Sequence, residues 1–182
     1  MIIYPMSNSK RHGRLVGQLY ADIVTTHKEL LEADKINPLQ GEAALVYFGR
    51  VSKGDTLTLV DIGKIDDKDE FIEEAINELD YIQPDFMLFK NNPYWENRRQ
   101  TRTAGFPDLI VEVWSPANSK DERAIKFGLY SSSDTTEHWY IEHDSNIVKC
   151  NKGTERLPNQ NLRNILTTQD GIEFDLRYLA LD

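Results

Sequence analysis

Hydrophobic residues recur at helical spacing near the start of the chain. Between residues 9 and 33, apolar side chains three or four positions apart form one stripe, whose main members are Leu15, Leu19, Ile23, Leu30 and Leu31. This spacing predicts an amphipathic helix that ends at the polar, proline-containing segment 35–38. A shorter acidic helix is predicted over residues 71–79, where the apolar positions again fall on one face.

Four short apolar segments predict strands arranged as two hairpins. Residues 43–48 and 56–60 flank Ser-Lys-Gly-Asp, and residues 138–141 and 147–150 flank His-Asp-Ser-Asn. Polar connections of this length favour antiparallel pairing. Residues 91–105, rich in Asn and Arg, predict a polar loop.

A strand, a helix and another strand follow one another in the second half of the chain. Residues 107–114 are mostly apolar, and Ser119 with Glu122 forms a capping box that predicts a helix to about residue 130. The next strand is the one predicted at 138–141. A connection of this length allows parallel pairing with a right-handed crossover.

The order of elements predicts the fold class. Residues 162–181 add a short strand and a closing turn or helix. Together the segments predict an α/β fold, a mixed β-sheet flanked by helices, in a single domain over residues 1–182.

Two predicted strands carry acids at positions where an acid is costly. The segment 82–89 reads Ile-Gln-Pro-Asp-Phe-Met-Leu-Phe and contains Asp85. The segment 107–114 reads Pro-Asp-Leu-Ile-Val-Glu-Val-Trp and contains Asp108 and Glu112. A buried carboxylate needs a cation, a donor or a proton. Two neighbouring strands that each present one predict a site for a hard divalent metal and metal-assisted hydrolysis of phosphodiesters.

Strand geometry limits which acids can act together. Asp108 and Glu112 share one face but lie about 13 Å apart, at roughly 3.3 Å per residue. Asp85 is therefore the better partner for Glu112 at one ion. The pairing resembles the PD-(D/E)xK nuclease pattern, although Trp114 stands where that pattern has its lysine. Lys126 is the candidate substitute, because a helix that folds back from Ser119 carries it about 10 Å, to the level of Glu112.

A longer set of motifs resembles one family. The run Gly-Phe-Pro-Asp-Leu-Ile-Val-Glu-Val-Trp-Ser-Pro-Ala-Asn precedes Lys126 and Tyr130, and Glu-His-Trp-Tyr-Ile-Glu follows them. These residues resemble the Uma-type (Uma-two) restriction endonuclease family of the PD-(D/E)xK superfamily. The resemblance implies the restriction-endonuclease-like fold, with Asp85 and Glu112 as metal ligands and Lys126 as the catalytic lysine. Asp108 also matches a family acid and is a third candidate ligand.

Each of these residues also has a purely structural interpretation. Asp85 after Pro84 could accept backbone N–H groups at a strand edge, and Glu112 could form an ion pair with Lys126. His12 and His138 are expected to be structural, although His12 could reach a site over the sheet. Two tryptophans, Trp114 and Trp139, are expected in the core rather than as platforms for bases.

The charge distribution leaves nucleic acid possible as a partner. The formal net charge is -9, but residues 61–80 alone carry nine acids against two lysines. Seven basic residues are candidates for a phosphate-tracking surface or for ordinary solvated charges: Lys10, Arg11, Arg14, Lys90, Arg98, Arg99 and Arg102.

Compartment signals are few. No apolar stretch approaches the roughly 20 residues of a membrane helix, and the N-terminus lacks the apolar region of a signal peptide. One cysteine, Cys150, excludes an internal disulfide and is compatible with a reducing cytoplasm.

The function expected from the sequence is a Mg²⁺- or Mn²⁺-dependent endonuclease that acts on DNA in the cytoplasm. Two alternatives stay open. One is a catalytically inactive nuclease-fold module that binds nucleic acid or protein, as a homodimer. The other is a metal hydrolase of small phosphoesters, which the overall acidity would tolerate better than DNA.

Overall fold

The computed structural model describes residues 10–40, 43–49, 56–64, 78–97 and 101–182. The predicted N-terminal helix is divided at His27 into α1 (Lys10–Thr26) and α2 (Lys28–Glu32). Just before the break, the Thr25 hydroxyl donates to the Ala21 carbonyl at 2.8 Å. Such back-bonding by Thr competes with the helical hydrogen bonds and is typical of a helix end. Of the helix predicted at 71–79, residues 71–77 lie outside the described residues.

The larger of the two main sheets has seven strands. Its strands are β1 (Asn37–Gln40), β5 (Phe86–Phe89), β8 (Leu109–Trp114), β9 (Glu137–Glu142), β10 (Ile147–Lys152), β11 (Glu155–Arg156) and β12 (Gln160–Asn161). The first six are neighbours in the order given, and β12 also pairs with β10. The pair β8 and β9 is parallel, and the other pairs are antiparallel.

The smaller sheet corrects one prediction. Its strands are β2 (Ala44–Phe48), β3 (Thr58–Leu59), β4 (Asp80–Ile82), β6 (Tyr94–Asn97) and β7 (Arg102–Gly105). Their order is β3, β2, β7, β6, and β4 also pairs with β2. Residues 91–105, predicted as a loop, therefore contain two paired strands. Their polar composition concealed a sheet with one face away from the main core.

The helix α3 (Lys120–Tyr130) connects β8 to β9, so the predicted strand–helix–strand unit is confirmed. Ser119 accepts the Glu122 N–H at 3.0 Å, as the capping box predicted. Both predicted hairpins, β2–β3 and β9–β10, are also present. The C-terminal region holds β13 (Leu166–Thr167), β14 (Glu173–Phe174) and a 3₁₀ turn at Arg177–Leu179.

The alternating side chains of β8 divide the core into two layers. Leu109, Val111 and Val113 pack on one face, with the apolar stripe of α1. Ile110 and Trp114 point the other way, toward α3 and the smaller sheet. Glu112 lies between these last two in the alternation and is therefore turned toward α3. The mixed sheets with few flanking helices confirm the predicted fold class.

Candidate active site

Glu112 is in the middle of β8 and only 1% exposed. Lys126 Nζ donates to its Oε2 at 2.7 Å, and the Tyr130 hydroxyl donates to its Oε1 at 2.6 Å. Both donors come from α3, where a spacing of four residues places them on one face. The prediction that the helix folds back from Ser119 and carries Lys126 to the level of Glu112 is therefore confirmed. The structure also contains the ion pair between Glu112 and Lys126 that the structural interpretation predicted.

Asp85 lies just before β5, not inside a strand as predicted, because Pro84 separates β4 from β5. Asp85 is 5% exposed as a residue. Oδ2 accepts the Val113 N–H at 2.7 Å, which ties Asp85 to the residue after Glu112. Oδ1 is 2.9 Å from His12 Nε2 on α1.

His12 was expected to be structural, with the alternative that it could reach a site over the sheet, and the structure places it beside Asp85. It is 6% exposed and faces the interior with Leu15, Val16 and Leu19. A usable signal was present, because a histidine in the apolar stripe of a helix must find a polar partner when it is buried. The identity of that partner required the fold.

Burial and the neighbouring charges shift the pKa values of this cluster. Burial raises the pKa of Glu112 to about 7; the Lys126 ammonium opposes this shift, and the Asp85 carboxylate adds to it. Burial lowers the pKa of Lys126, but the carboxylates of Glu112 and Asp85 outweigh it, so the net pKa is raised. Burial and then the charge of Glu112 raise the pKa of Tyr130 well above its usual value. Lys126 therefore remains a cation and Tyr130 a neutral donor.

Asp108 is bound to the backbone of the turn after β5. Its Oδ2 accepts the backbone N–H groups of Lys90 at 2.7 Å, Asn91 at 3.0 Å and Asn92 at 3.4 Å. The carboxylate thus holds the turn that follows β5. Its assignment as a third metal ligand stays a prediction.

The donor set suits a hard divalent metal, although no three His, Cys, Asp or Glu side chains within the described ranges converge as a ready-made metal site. Asp85 and Glu112 are close enough for their charges to act on each other and on the Lys126 ammonium, which also lies 4.0 Å from Glu122 Oε1. Burial is the main cause of the raised pKa of Glu112, and the charge of Asp85 adds to it. Carboxylate oxygens are the ligands that Mg²⁺ and Mn²⁺ prefer. Each carboxylate also has acceptor capacity left beyond the two hydrogen bonds described.

The other candidate residues have structural places. Trp139 is fully buried and donates to Glu137 Oε1 at 2.6 Å, and Trp114 packs against Tyr140 and the Arg123 guanidinium. His138 is bound by the Tyr140 hydroxyl and the Gly153 carbonyl. The structural expectations for Trp114, Trp139 and His138 are confirmed.

Three of the seven basic residues have contacts within the part of the chain that the structure describes. Arg11 donates to the carbonyls of His143 and Ser145 and so holds the β9–β10 turn. Lys90 pairs with Asp170 at 2.8 Å. Arg102 lies beside Tyr81 on the smaller sheet, and Arg98 and Arg99 fall outside the described residues.

Comparison with solved structures shows a shared fold. The chain resembles the crystal structure described as "a putative nuclease belonging to DUF820 from Anabaena variabilis ATCC 29413", with a TM-score of 0.60 and 12% identity. The similarity covers 97% of this chain and 85% of that one, and it establishes a shared, nuclease-like fold.

The family follows from the sequence itself. Residues 70–181 match the Uma2 family, described as "Putative restriction endonuclease". The match spans more than half of the chain, and the chain belongs to this family. A nuclease role, with nucleic acid as the substrate, is what membership supports. No protein of curated function matches the chain. Among the described helices, none is both long and apolar enough to cross a membrane.

Proposed function

We propose that the protein is a metal-dependent endonuclease that hydrolyses phosphodiester bonds in DNA, with Mg²⁺ or Mn²⁺ as its cofactor. The observation that carries the proposal is the buried contact of Glu112 with Lys126 and Tyr130, next to Asp85. A strand carboxylate, a second acid and a lysine are the parts of a PD-(D/E)xK site. Here the lysine comes from α3 instead of β8.

Asp85 and Glu112 would hold the metal. When bound, the metal would supply positive charge that stabilises the five-coordinate transition state at phosphorus and lowers the pKa of the attacking water. Lys126 positions the attacking water and stabilises negative charge on the phosphate oxygens, because its raised pKa keeps it protonated. Water adds to phosphorus and gives up one proton, the P–O bond to the deoxyribose 3′ oxygen breaks, and that oxygen takes up one proton, so the step consumes no net proton.

Two more residues position the carboxylates. Tyr130 fixes one oxygen of Glu112, and its raised pKa keeps the hydroxyl as a donor. His12 fixes Oδ1 of Asp85 from α1, while Val113 N–H fixes Oδ2. With both carboxylates held from two sides, little reorientation is needed for a shared ligand.

A second candidate function is a nuclease-fold binding module without catalysis. Both oxygens of Glu112 are already bound by side chains of the same chain, and the group is buried. The acids of residues 61–80 would also repel a polyanion that approached them. A homodimer, a cytoplasmic location and a single domain over residues 1–182 remain predictions.

The deciding experiment is nicking of supercoiled plasmid in Mg²⁺ and in Mn²⁺. Wild type is compared with Glu112→Gln, and Glu155→Gln on exposed β11 is the matched control. Cleavage by wild type and by Glu155→Gln, but not by Glu112→Gln, supports the metal nuclease. Binding of DNA without cleavage in either metal supports the binding module instead.

A further inference from the structure

Glu122 is a further buried carboxylate beside Lys126, one turn earlier on α3. The residue is 6% exposed, and its Oε1 is 4.0 Å from Lys126 Nζ. Because positions four residues apart on a helix are neighbours, Glu122 lies on the same face of α3 as Lys126 and Tyr130. Neither the sequence motifs nor the mechanism proposed above assigns a role to this acid.

The carboxylate of Glu122 is held by the turn that precedes α3. Asn118 Nδ2 donates to its Oε1 at 3.0 Å, while Asn118 Oδ1 accepts the Ser115 N–H at 2.8 Å. Ser119 accepts the Glu122 N–H, but among the described residues no return bond from the Ser119 N–H to the Glu122 side chain completes the capping box. The carboxylate therefore contacts Asn118 and Lys126 rather than the N-terminus of its own helix.

A metal at Glu112 would compete with Lys126 for the same carboxylate. Tyr130 donates to Oε1 of Glu112 at 2.6 Å, and Lys126 donates to Oε2 at 2.7 Å. Oε2 can accept a metal on its other lone pair, but an ammonium and a divalent cation on one oxygen lie within about 5 Å of each other. Two cations this close repel strongly in a buried place. The ammonium must therefore leave Oε2, although a buried charge needs a partner wherever it goes.

Glu122 offers the ammonium that second partner. Bringing Lys126 Nζ from 4.0 Å to hydrogen-bond distance of Glu122 Oε1 requires a shift of about 1 Å. The four-carbon stem of lysine is flexible enough for such a shift. The positive charge stays paired throughout, and Oε2 of Glu112 becomes available to another ligand.

We propose that Glu122 is a positioning residue for Lys126, which receives the ammonium when Glu112 binds a divalent metal. The exchange frees an oxygen of Glu112 and keeps Lys126 charged beside the reacting phosphate. It also explains how a carboxylate whose two oxygens are bound by side chains of the same chain can still hold a metal. The inference rests on the proposed function for the metal, and it concerns a residue outside the proposed ligand set.

The first measurement is a crystal structure of the wild-type protein with Mn²⁺, whose anomalous scattering locates the ion. The expected result is Mn²⁺ at Asp85 and Glu112, with Lys126 Nζ within about 3.2 Å of a Glu122 oxygen and more than about 3.5 Å from Glu112 Oε2. Bound Mn²⁺ with Nζ still on Glu112 would overturn the proposal and leave the metal site intact.

The second measurement is a calorimetric titration of Mn²⁺ into the metal-free protein, without DNA. Glu122→Gln is nearly isosteric and should weaken Mn²⁺ binding about 10- to 100-fold, because the displaced ammonium would lack a charged partner. Asp121→Asn is the matched control, since it removes an exposed acid from the same turn of α3 and should bind Mn²⁺ as wild type does. Equal affinities for Glu122→Gln and wild type would contradict the proposal.

The same titration in a Lys126→Met background separates this role from a direct effect of Glu122 on the metal. With no ammonium to receive, Glu122→Gln should weaken binding by a factor at least about threefold smaller than it does beside Lys126. An equal loss in both backgrounds would mean that Glu122 acts on the metal itself, as a ligand or through its charge, and would overturn the proposal. If Glu122→Gln does not fold, the structure of the wild-type Mn²⁺ complex decides alone.

Plasmid cleavage by wild type separates the two proposals. Cleavage together with a Lys126 that remains on Glu112 in the Mn²⁺ complex retains the nuclease and rejects the exchange. An exchange of partners in the Mn²⁺ complex without cleavage retains the role of Glu122 and rejects the nuclease. No binding of Mn²⁺ by wild type rejects both.

Discussion

Lys126 Nζ is 2.7 Å from Glu112 Oε2, and both side chains are almost fully buried. Taking two charges out of water is repaid only by close contact and further hydrogen bonds. Tyr130 donates one hydrogen bond to Glu112, and Lys126 donates one to the Gln83 carbonyl. The pair is therefore the centre of a small polar network inside an apolar layer, and several predictions depend on it.

Lys126→Met should abolish DNA cleavage but not metal binding, because Asp85 and Glu112 are the proposed ligands. Removing one partner of a buried pair should also cost about 3–5 kcal/mol of unfolding free energy. Mg²⁺ would then replace the missing charge and raise the Tm of the variant more than that of wild type. Thermal unfolding with and without Mg²⁺ measures this, and a variant that still cleaves plasmid at the wild-type rate would refute the role of Lys126.

Tyr130→Phe should lower the unfolding free energy by about 1.5–3 kcal/mol, the range for a hydrogen bond to a charged group. The ring and its packing are kept, so the change reports the hydroxyl bound to Glu112 Oε1. Tyr178→Phe is the control, since Tyr178 is 65% exposed. Denaturant unfolding of both variants tests this, and equal stability of the two would contradict it.

His12→Ala should raise the Mg²⁺ concentration needed for half-maximal cleavage by about 10- to 100-fold, the usual effect of losing a group that orients a metal ligand. The cause would be a freed Oδ1 on Asp85. His12→Gln, which can still donate toward Asp85, should recover part of the loss. A purely structural His12 would instead lower the Tm of both variants and leave the Mg²⁺ dependence as in wild type.

The stability of the metal-free protein should depend on pH through Glu112. Its pKa is about 7 in the folded chain against 4.5 for the unperturbed group, so the folded state binds more protons than the unfolded state between these values. The contribution of this group to stability is therefore fully present below pH 4.5 and decreases as pH rises to about 7. Unfolding of wild type and Glu112→Gln across this range should show wild type losing stability relative to the variant. A constant difference would mean that Glu112 does not titrate there.

The sequence predicted the part of the site that depends on regular repeats. Alternation along β8 and the rise of α3 per residue were enough to bring Lys126 to Glu112. The capping box identified the residue at which α3 begins, and the start of a helix determines which of its side chains face the sheet. Predictions of this kind succeed because helix and strand geometry vary little between proteins.

Contacts that depend on tertiary packing could not be predicted in this way. The partner of Asp85 on α1 required knowledge of how that helix crosses the sheet. The β6–β7 pairing was hidden because its residues are polar and its sheet has one face outside the main core. The three backbone N–H groups that Asp108 accepts, from the turn after β5, likewise depend on the fold. Its role as a metal ligand stays a prediction.

The proposed centre draws its residues from α1, the β4–β5 connection, β8 and α3, and none of these segments contains a working set alone. Such a centre would form only when these four segments have folded together. A nascent chain, a proteolytic fragment or a partly unfolded molecule would carry no cutting activity. If the proposed activity on DNA is correct, this dependence would protect the DNA of the cell during synthesis of the protein.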